Sequence, residues 1–546
     1  MLQGFIPWPP ELAARYRERG WWQDLTLSGL LAKTARRLPE KTALVHDHGR
    51  ISYGRLQADS EALAGRFLEA GLRPHDRVVL QLPNIPEFVV SYFALVRIGC
   101  IPVMALRAHR HSEVGHFLRA SAAAAYIIPD VINGFDYRLM AEQLRGQAPA
   151  LRQVLVVGEP LPGQVSLSEM IARPAPAVPL AAAEPDPDEV ATMLLSGGTT
   201  ALSKLIPRTH NDYVLNARLC GAAAGFSEDT VLLAILPLGH NYNLASPGML
   251  GAFYYGGTVV LARSGEAGEV FGLVERERVS VIAAVVPLIS NWLNSDLPGQ
   301  HDLTSLKVIQ NGGARLAPEL RSRLRLAYGC TPQEIYGTAE GLINMTRLDD
   351  PDDLLLHSSG TPVCPDDEIK VLDEDGRELP DGASGELVVR GPYTIRGYYD
   401  AAEINKTAFT DDGYYRMGDI VRKEGRTIYT EGRKKDLINR GGEKISCEEV
   451  ENLIFAHPKV KAVTLVAMPD DIFGEKACAF VIPKDGETLG FAELIAFLKR
   501  QQIASFKLPE RLELVAEFPL SPVGKILKRN LRETIAERLT AERTAS

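Results

Sequence analysis

From residue 41 to about residue 345 the chain repeats one pattern, a short apolar run followed by a stretch with apolar residues at helical spacing. The runs at 41–46, 77–82, 125–129, 153–157, 231–236, 258–261, 279–286, 308–310 and 334–336 read as strands. Between the first two, residues 55–70 have a period near 3.6, with Gly71 placed as a C-cap. Pro83 to Glu87 opens a further apolar helix that reaches Ile98. Strands that alternate with helices belong to an open, mostly parallel sheet whose faces the helices cover. The expected fold class is therefore α/β. At 546 residues the chain exceeds what one hydrophobic core organises, so roughly two to four domains are expected.

An opening arm precedes this region. Leu27, Leu30, Leu31, Ala35 and Leu38 fall at helical spacing and Pro39 ends the pattern. The segment from Arg173 to Asp188 is rich in Pro, Ala and acidic residues and reads as a surface connection. After about residue 350 the texture changes to short alternating strands separated by Asp/Gly turns, as in a small β-barrel. After Gly432 charge density rises, and helix and strand patterns at 447–456, 462–468, 478–483 and 491–502 suggest a compact α+β lid. The expected division is an N-terminal core over 1–432, built of packed mixed α/β sheets with the barrel-like part at about 350–432. A small mobile C-terminal domain follows over 433–546.

A net charge of −9 argues against sequence-independent nucleic-acid binding. Six scattered cysteines without a C-x-x-C pair argue against a disulfide framework or zinc site and fit reduced thiols in a cytoplasmic enzyme. Residues 1–10 hold three prolines and no basic segment, unlike a signal peptide. The most apolar stretches, 88–106 and 279–293, are interrupted by Arg97 and Pro287, so no membrane span is expected.

One loop carries chemistry. Ser196-Gly197-Gly198-Thr199-Thr200-Ala201-Leu202-Ser203-Lys204 follows the apolar run 190–195 and combines two glycines, four hydroxyls and a lysine. Freed backbone N–H groups, hydroxyl donors and a cation are what a polyphosphate requires. The Walker A spacing cannot be laid over it. On its own, a polar turn between two elements accounts for it equally well.

Four later segments decide between these readings. Tyr336-Gly337-Thr338-Ala339-Glu340, Tyr415-Arg416-Met417-Gly418-Asp419, Gly432-Arg433-Lys434-Lys435-Asp436 and Pro522-Val523-Gly524-Lys525 follow the loop in order. Together with it they resemble the motifs of the acyl-adenylate-forming (ANL) superfamily over residues 25–535. Within that superfamily, His240-Asn241-Tyr242, Ser246-Pro247-Gly248, Arg396-Gly397-Tyr398-Tyr399 and the segment from Ile438 to Lys444 resemble 2,3-dihydroxybenzoate–AMP ligases, which activate aryl acids for siderophore assembly.

The resemblance implies a two-step reaction. An aryl acid and ATP give an acyl-adenylate, and the acyl group then passes to a phosphopantetheine thiol on a separate aryl carrier protein. It implies that Lys525 is catalytic on a mobile loop and that His240 gates or positions the carboxylate. Ser196, Gly197, Gly198, Thr199, Thr200 and Lys204 would handle the phosphates. Gly312, Gly313, Ala314, Ile335, Tyr336, Gly337 and Thr338 would surround the adenine, with Tyr336 stacked on it. Asp419 and Arg433 would bind the ribose, and Glu340 would hold Mg²⁺. Asn241 and Ser246 would read adjacent ring hydroxyls, with Tyr242, Ile335, Ala339 and Ile343 as walls. Ser246 points to 2,3-dihydroxybenzoate, whereas the larger Ile343 points to salicylate. Lys435 would be the hinge, and Arg440, Gly441 and Lys444 the carrier face. Ala201 departs from the family's usual glycine and would stiffen the loop.

Two other readings remain open on sequence. The acceptor could be coenzyme A, making the protein an aryl- or acyl-CoA ligase. A non-catalytic nucleotide-binding scaffold is the third, but it has no need of Lys204, Glu340, Asp419 and Lys525 together. The tail beyond Lys525 is shorter than the ~50 residues of a further domain, so no fused carrier is expected.

Overall fold

Nine strands make the largest sheet, in the order 361–362, 341–345, 331–338, 308–312, 281–284, 231–234, 258–261, 42–46, 49–52. Its interior strands are parallel and both ends turn antiparallel. A second sheet of seven strands runs 205–209, 190–195, 101–104, 77–80, 125–129, 153–157, 165–166, parallel apart from the edge pair formed with Leu205–Thr209. The computed structural model describes residues 1–173, 180, 184–196, 203–440, 443–501, 503–521 and 524–545.

The local reasons for these elements are visible in the side chains. Val78, Val79, Val259, Val260, Ile282 and Ile309 are fully buried, as strands covered on both faces require. The helix Tyr53–Glu69 is capped by Ser52, whose hydroxyl accepts from the Arg55 amide. Pro86–Arg97 starts with proline at its first position and buries an almost continuous apolar surface. The helix Leu27–Arg37 lies over this core and is capped by Thr26.

The short strands after residue 350 form a four-stranded antiparallel sheet in sequential order, Glu368–Leu372, Ser384–Arg390, Tyr415–Glu424 and Thr427–Arg433. Its first and last strands are not joined to each other, so this part is an open meander rather than a closed barrel.

Beyond Arg433 a single 3₁₀ turn, Lys434–Asp436, leads to the last sheet. Its two long strands are Gly474–Pro483, which is central, and Val460–Asp470, which pairs along its edge. Period-two alternation gives this sheet two apolar faces. Leu465, Ala477, Ala479 and Val481 pack with Val450 and Ile454 of the helix Cys447–Phe455. Val466, Met468, Cys478 and Phe480 pack with Leu531 and Ile535 of the last helix, Lys528–Ala545. All six cysteines are buried and unpaired. Among the described residues no helix is long and apolar enough to cross a membrane.

Candidate active site

The candidate site gathers at the carboxyl ends of the parallel strands Val308–Gly312 and Thr331–Thr338, where open α/β sheets bind ligands. The strand Val308–Gly312 ends there, and Gly313 follows with φ +87°. Asn311 Nδ2 steadies this turn by donating to the Ala314 carbonyl (2.7 Å) and to Glu334 (3.0 Å). A Cβ on Gly312 would meet the Tyr242 ring at 2.9 Å, and one on Gly313 would meet Lys525 Cε at 3.0 Å. Both glycines are therefore required by close approach.

Lys525 comes from the far end of the chain on a tight turn. The Ser521 amide donates to the Lys525 carbonyl (2.7 Å), and the Lys525 amide donates back to Ser521 Oγ (3.0 Å). Its ammonium feels the charges of Arg433, Asp419 and Glu340; burial pushes its pKa down, Arg433 adds to the effect, and the two carboxylates oppose it. Asp419 is almost wholly buried. Its Oδ2 accepts from the Tyr336 hydroxyl (2.7 Å), and its Oδ1 lies 2.7 Å from Arg433 Nε. Burial pushes the Asp419 carboxyl up, against Arg433 and the Tyr336 hydrogen bond. Strand pairing sets this cluster, because Asp419 and Arg433 are direct partners across the meander.

Glu340 follows the strand Thr331–Thr338. Its Oε1 accepts from the Tyr398 hydroxyl at 2.7 Å, and its second oxygen accepts no hydrogen bond among the described residues. The Tyr398 hydroxyl also meets that of Tyr415 at 3.2 Å, and the Lys204 ammonium sits 4.6 Å above the Tyr398 ring. One tyrosine thus holds both a carboxylate and a cation. Ser196 and Lys204 face each other across the neck of the Gly/Thr-rich loop: the Ser196 amide donates to the Lys204 carbonyl (3.0 Å), and the Lys204 amide donates to Ser196 Oγ (2.9 Å). Gly197, Gly198, Thr199, Thr200 and Ala201 lie outside the described residues, as do Gly441, Gly442, Pro522 and Val523. Thr338 Oγ1 donates to the Gly341 carbonyl (3.0 Å).

His240 caps the short helix Asn241–Ala245, its Nδ1 accepting from the Tyr242 amide. Burial, reinforced by the Lys525 charge, pushes it down to about 3. The imidazole is neutral at any working pH, with its proton on Nε2. Asn241 Oδ1 accepts from the Tyr213 hydroxyl (2.9 Å), and Asn241 Nδ2 donates to Ser246 Oγ (3.3 Å). Tyr242, Ile335 and Ile343 are buried, and Ala339 is partly so. Gly337 admits the Ile343 side chain, which would lie 2.7 Å from a Cβ there.

The expected hinge residue Lys435 occupies the 3₁₀ turn between the meander and the last sheet. Arg440 is engaged rather than free: it pairs with Glu510 and stacks 4.0 Å from the Phe473 ring. Lys444 lies on the strand Glu443–Ile445, paired with Asn439. Arg315 and Glu448 bridge the large and small parts at 3.2 Å, and burial pushes Glu448 up to about 7.

Sequence reasoning assigned no role to Arg208, Tyr213, Asn216 or Tyr398. Arg208 is fully buried, paired with Asp212 at 2.7 Å, and donates to the carbonyls of Ala339 (2.9 Å) and Tyr393 (3.0 Å). It therefore fastens the edge of the second sheet to the segment that carries Glu340.

Comparison with known proteins shows the family. The AMP-binding enzyme model matches residues 31–399, and the AMP-binding enzyme C-terminal domain model matches 449–525. The chain belongs to the AMP-binding enzyme family. Among AMP-binding enzymes it is 46% identical to the 2,3-dihydroxybenzoate-AMP ligase of Bacillus subtilis over 99% of both chains. It is 42% identical to the salicyl-AMP ligase / salicyl-S-ArCP synthetase of Mycobacterium tuberculosis, over 97% of this chain and 94% of that one. The apo structure of Mycobacterium smegmatis MbtA superposes with a TM-score of 0.75 at 39% identity, covering 97% of this chain and 98% of the other.

Proposed function

We propose that this AMP-binding enzyme is an aryl-acid–AMP ligase. It adenylates 2,3-dihydroxybenzoate or salicylate with ATP and passes the aryl group to the phosphopantetheine thiol of a separate aryl carrier protein, as in siderophore assembly in the cytoplasm. The observation that carries this reading is the position of Lys525, which packs against Gly313 within electrostatic reach of Asp419 and Glu340. The buried Asn241–Ser246 pair is part of the same region, joined to it through His240.

In the first step an aryl carboxylate oxygen attacks the α-phosphorus, and the bond to pyrophosphate breaks. Two anions must meet, so the site has to supply positive charge and exclude water. Lys525 would donate to the carboxylate and an α-phosphate oxygen, stabilising the charge that develops there. Asp419 would accept from the ribose hydroxyls with Arg433 alongside, and Tyr336 would turn its ring to the purine bounded by Gly312, Gly313, Ala314, Gly337 and Thr338. Lys204, Ser196 and the loop from Gly197 to Thr200 would hold the β- and γ-phosphates. Neutral His240 can only donate from Nε2, which suits placing the carboxylate rather than removing a proton. Glu340, with one oxygen on Tyr398, fits a Mg²⁺ ion that takes few carboxylates; such an ion would neutralise the leaving pyrophosphate. In the second step the thiol attacks the acyl carbonyl and AMP leaves. A rotation at Lys435 would withdraw Lys525 and bring up Arg440, Gly441 and Lys444. We place the boundary between the moving parts at 432/433.

The test is ATP–pyrophosphate exchange with 2,3-dihydroxybenzoate, salicylate, benzoate and a medium-chain fatty acid, followed by transfer to holo-carrier protein or coenzyme A. Exchange with the hydroxylated aryl acids and transfer to the carrier is the expected result. Exchange with the fatty acid alone, or none, would overturn it, and transfer only to coenzyme A would replace the acceptor.

A further inference from the structure

Beneath Asn241 and Ser246 lies a set of buried polar groups that the proposed chemistry does not use. The helix His210–Ala223 runs under the short helix Asn241–Ala245 and supplies Tyr213 and Asn216, each with no exposed surface. Tyr213 donates to Asn241 Oδ1 (2.9 Å). Asn216 Nδ2 donates to the Ala245 carbonyl (2.6 Å) and to Ser246 Oγ (3.2 Å). We propose that Tyr213 and Asn216 are positioning residues that fix the direction of the protons in this network, so that Ser246 keeps its O–H free to donate to a ring oxygen of the substrate.

The argument starts from two groups that have no choice. The Tyr213 hydroxyl is buried and stays protonated, and Asn241 Oδ1 is its one acceptor among the described residues. A buried hydroxyl without an acceptor is costly, so the Asn241 amide must present its oxygen to Tyr213. Its Nδ2 is thereby turned to Ser246 Oγ (3.3 Å) as a donor. From the other side, the Ala245 carbonyl can only accept, so Asn216 must present its Nδ2 there, and that same nitrogen reaches Ser246.

Ser246 Oγ therefore receives two N–H donors, which occupy both of its lone pairs. Its own proton meets no acceptor among the described residues, although the residue is 2% exposed. Among the described residues the network leaves three groups unspent: the Ser246 O–H, the second N–H of Asn241, and Asn216 Oδ1, which finds no partner. The two on Asn241 and Ser246, the residues expected to read the ring, are donors. Such a wall suits a ring that offers two adjacent oxygens as acceptors, as a 2,3-dihydroxy acid does. A ring with hydrogen at the position facing Ser246 leaves that O–H unpaired in a dry site. This inference rests on the aryl-acid reading and adds to it the residues that set the preference without touching the substrate.

Tyr213→Phe removes the anchor with almost no change in volume. The Asn241 amide is then free to turn over, and Ser246 can donate to its oxygen instead of to the ring. Asn216→Leu removes the second donor. The measurement is kcat/KM in pyrophosphate exchange with 2,3-dihydroxybenzoate, salicylate and benzoate, for wild type and both variants, with thermal melts to establish folding. Wild type is expected to prefer the dihydroxy acid, and the dihydroxybenzoate-to-salicylate ratio is expected to fall about tenfold in each variant. A purely structural role would lower all three acids together and leave the ratio unchanged. An unchanged ratio in folded Tyr213→Phe overturns the inference, whether or not Asn216→Leu folds. A wild-type preference for salicylate also overturns it while leaving the enzyme class intact. Absence of exchange with all three acids in wild type overturns the aryl-acid reading itself.

Discussion

Lys525 rests on Gly313 so closely that a single added carbon at Gly313 would sit 3.0 Å from the lysine Cε. These residues lie more than two hundred positions apart, on a strand end of the largest sheet and on the last turn before the terminal helix. Their contact brings the small C-terminal part against the strand end that carries Gly312 and Gly313.

Gly313→Ala should therefore act on adenylation more than on folding. The left-handed backbone at φ +87° costs alanine about 1 kcal/mol, a modest loss of stability. The displaced lysine should lower pyrophosphate exchange by at least about tenfold, since misplacing a reacting group is severe. A variant with wild-type exchange and an unchanged melting temperature would show that the contact is unimportant.

Lys525→Ala is expected to cut exchange by orders of magnitude while ATP still binds, because the charge it removes is needed most in the transition state. Exchange rates beside equilibrium ATP binding separate the two effects. Near-normal exchange would remove Lys525 from the mechanism.

His240 is held down to about 3, below the ordinary value of 6.5. A depressed folded-state pKa contributes stability above pH 6.5 that is lost as pH falls from 6.5 towards 3. The residue titrates outside the working range, so His240→Asn should lower the rate without moving the acid limb of the pH–rate profile between pH 5.5 and 7, a window set by the usual histidine range. A shift of that limb would show that the imidazole titrates there.

Asp367 is buried with Tyr393 as its hydrogen-bond donor (2.5 Å), and burial pushes it up to about 7. A raised carboxyl contributes stability that is complete below pH 3.8 and is lost as pH rises through about 7. Asp367→Asn keeps an acceptor for Tyr393 and carries no charge. It should gain stability over wild type at pH 8 relative to pH 5, by a few kcal/mol in urea titrations. Equal gains at both values would contradict the assignment.

The large sheets were legible because buried parallel strands are written as unbroken apolar runs, as at Val78 to Leu80 or Val281 to Ala284. The candidate site was legible where glycine, charge and order coincide, as in Gly312-Gly313 and Asp419. It was not legible on the helix His210–Ala223. There His210, Asn211, Asp212, Tyr213 and Asn216 are all buried, so polar residues that pattern as a solvent face point inward. Arg208 is hidden for the same reason: in a strand it reads as a surface charge, and its two carbonyl acceptors lie 131 and 185 residues further along the chain. The free-looking Arg440 proved to be tied to Glu510 and Phe473, contacts that no local pattern announces.

The arrangement around Arg208 bears on how the protein comes apart. Its guanidinium is satisfied only when the helix holding Asp212, the residue before Glu340 and the segment at Tyr393 have all arrived. A half-assembled intermediate would carry a buried cation short of partners, at a cost of about 3–5 kcal/mol. Partial opening is thereby penalised, and residues 1–432 should melt as one cooperative unit, with tryptophan fluorescence and far-ultraviolet circular dichroism falling at the same denaturant concentration. A truncated chain ending before Tyr393 should fail to fold rather than yield a stable smaller domain.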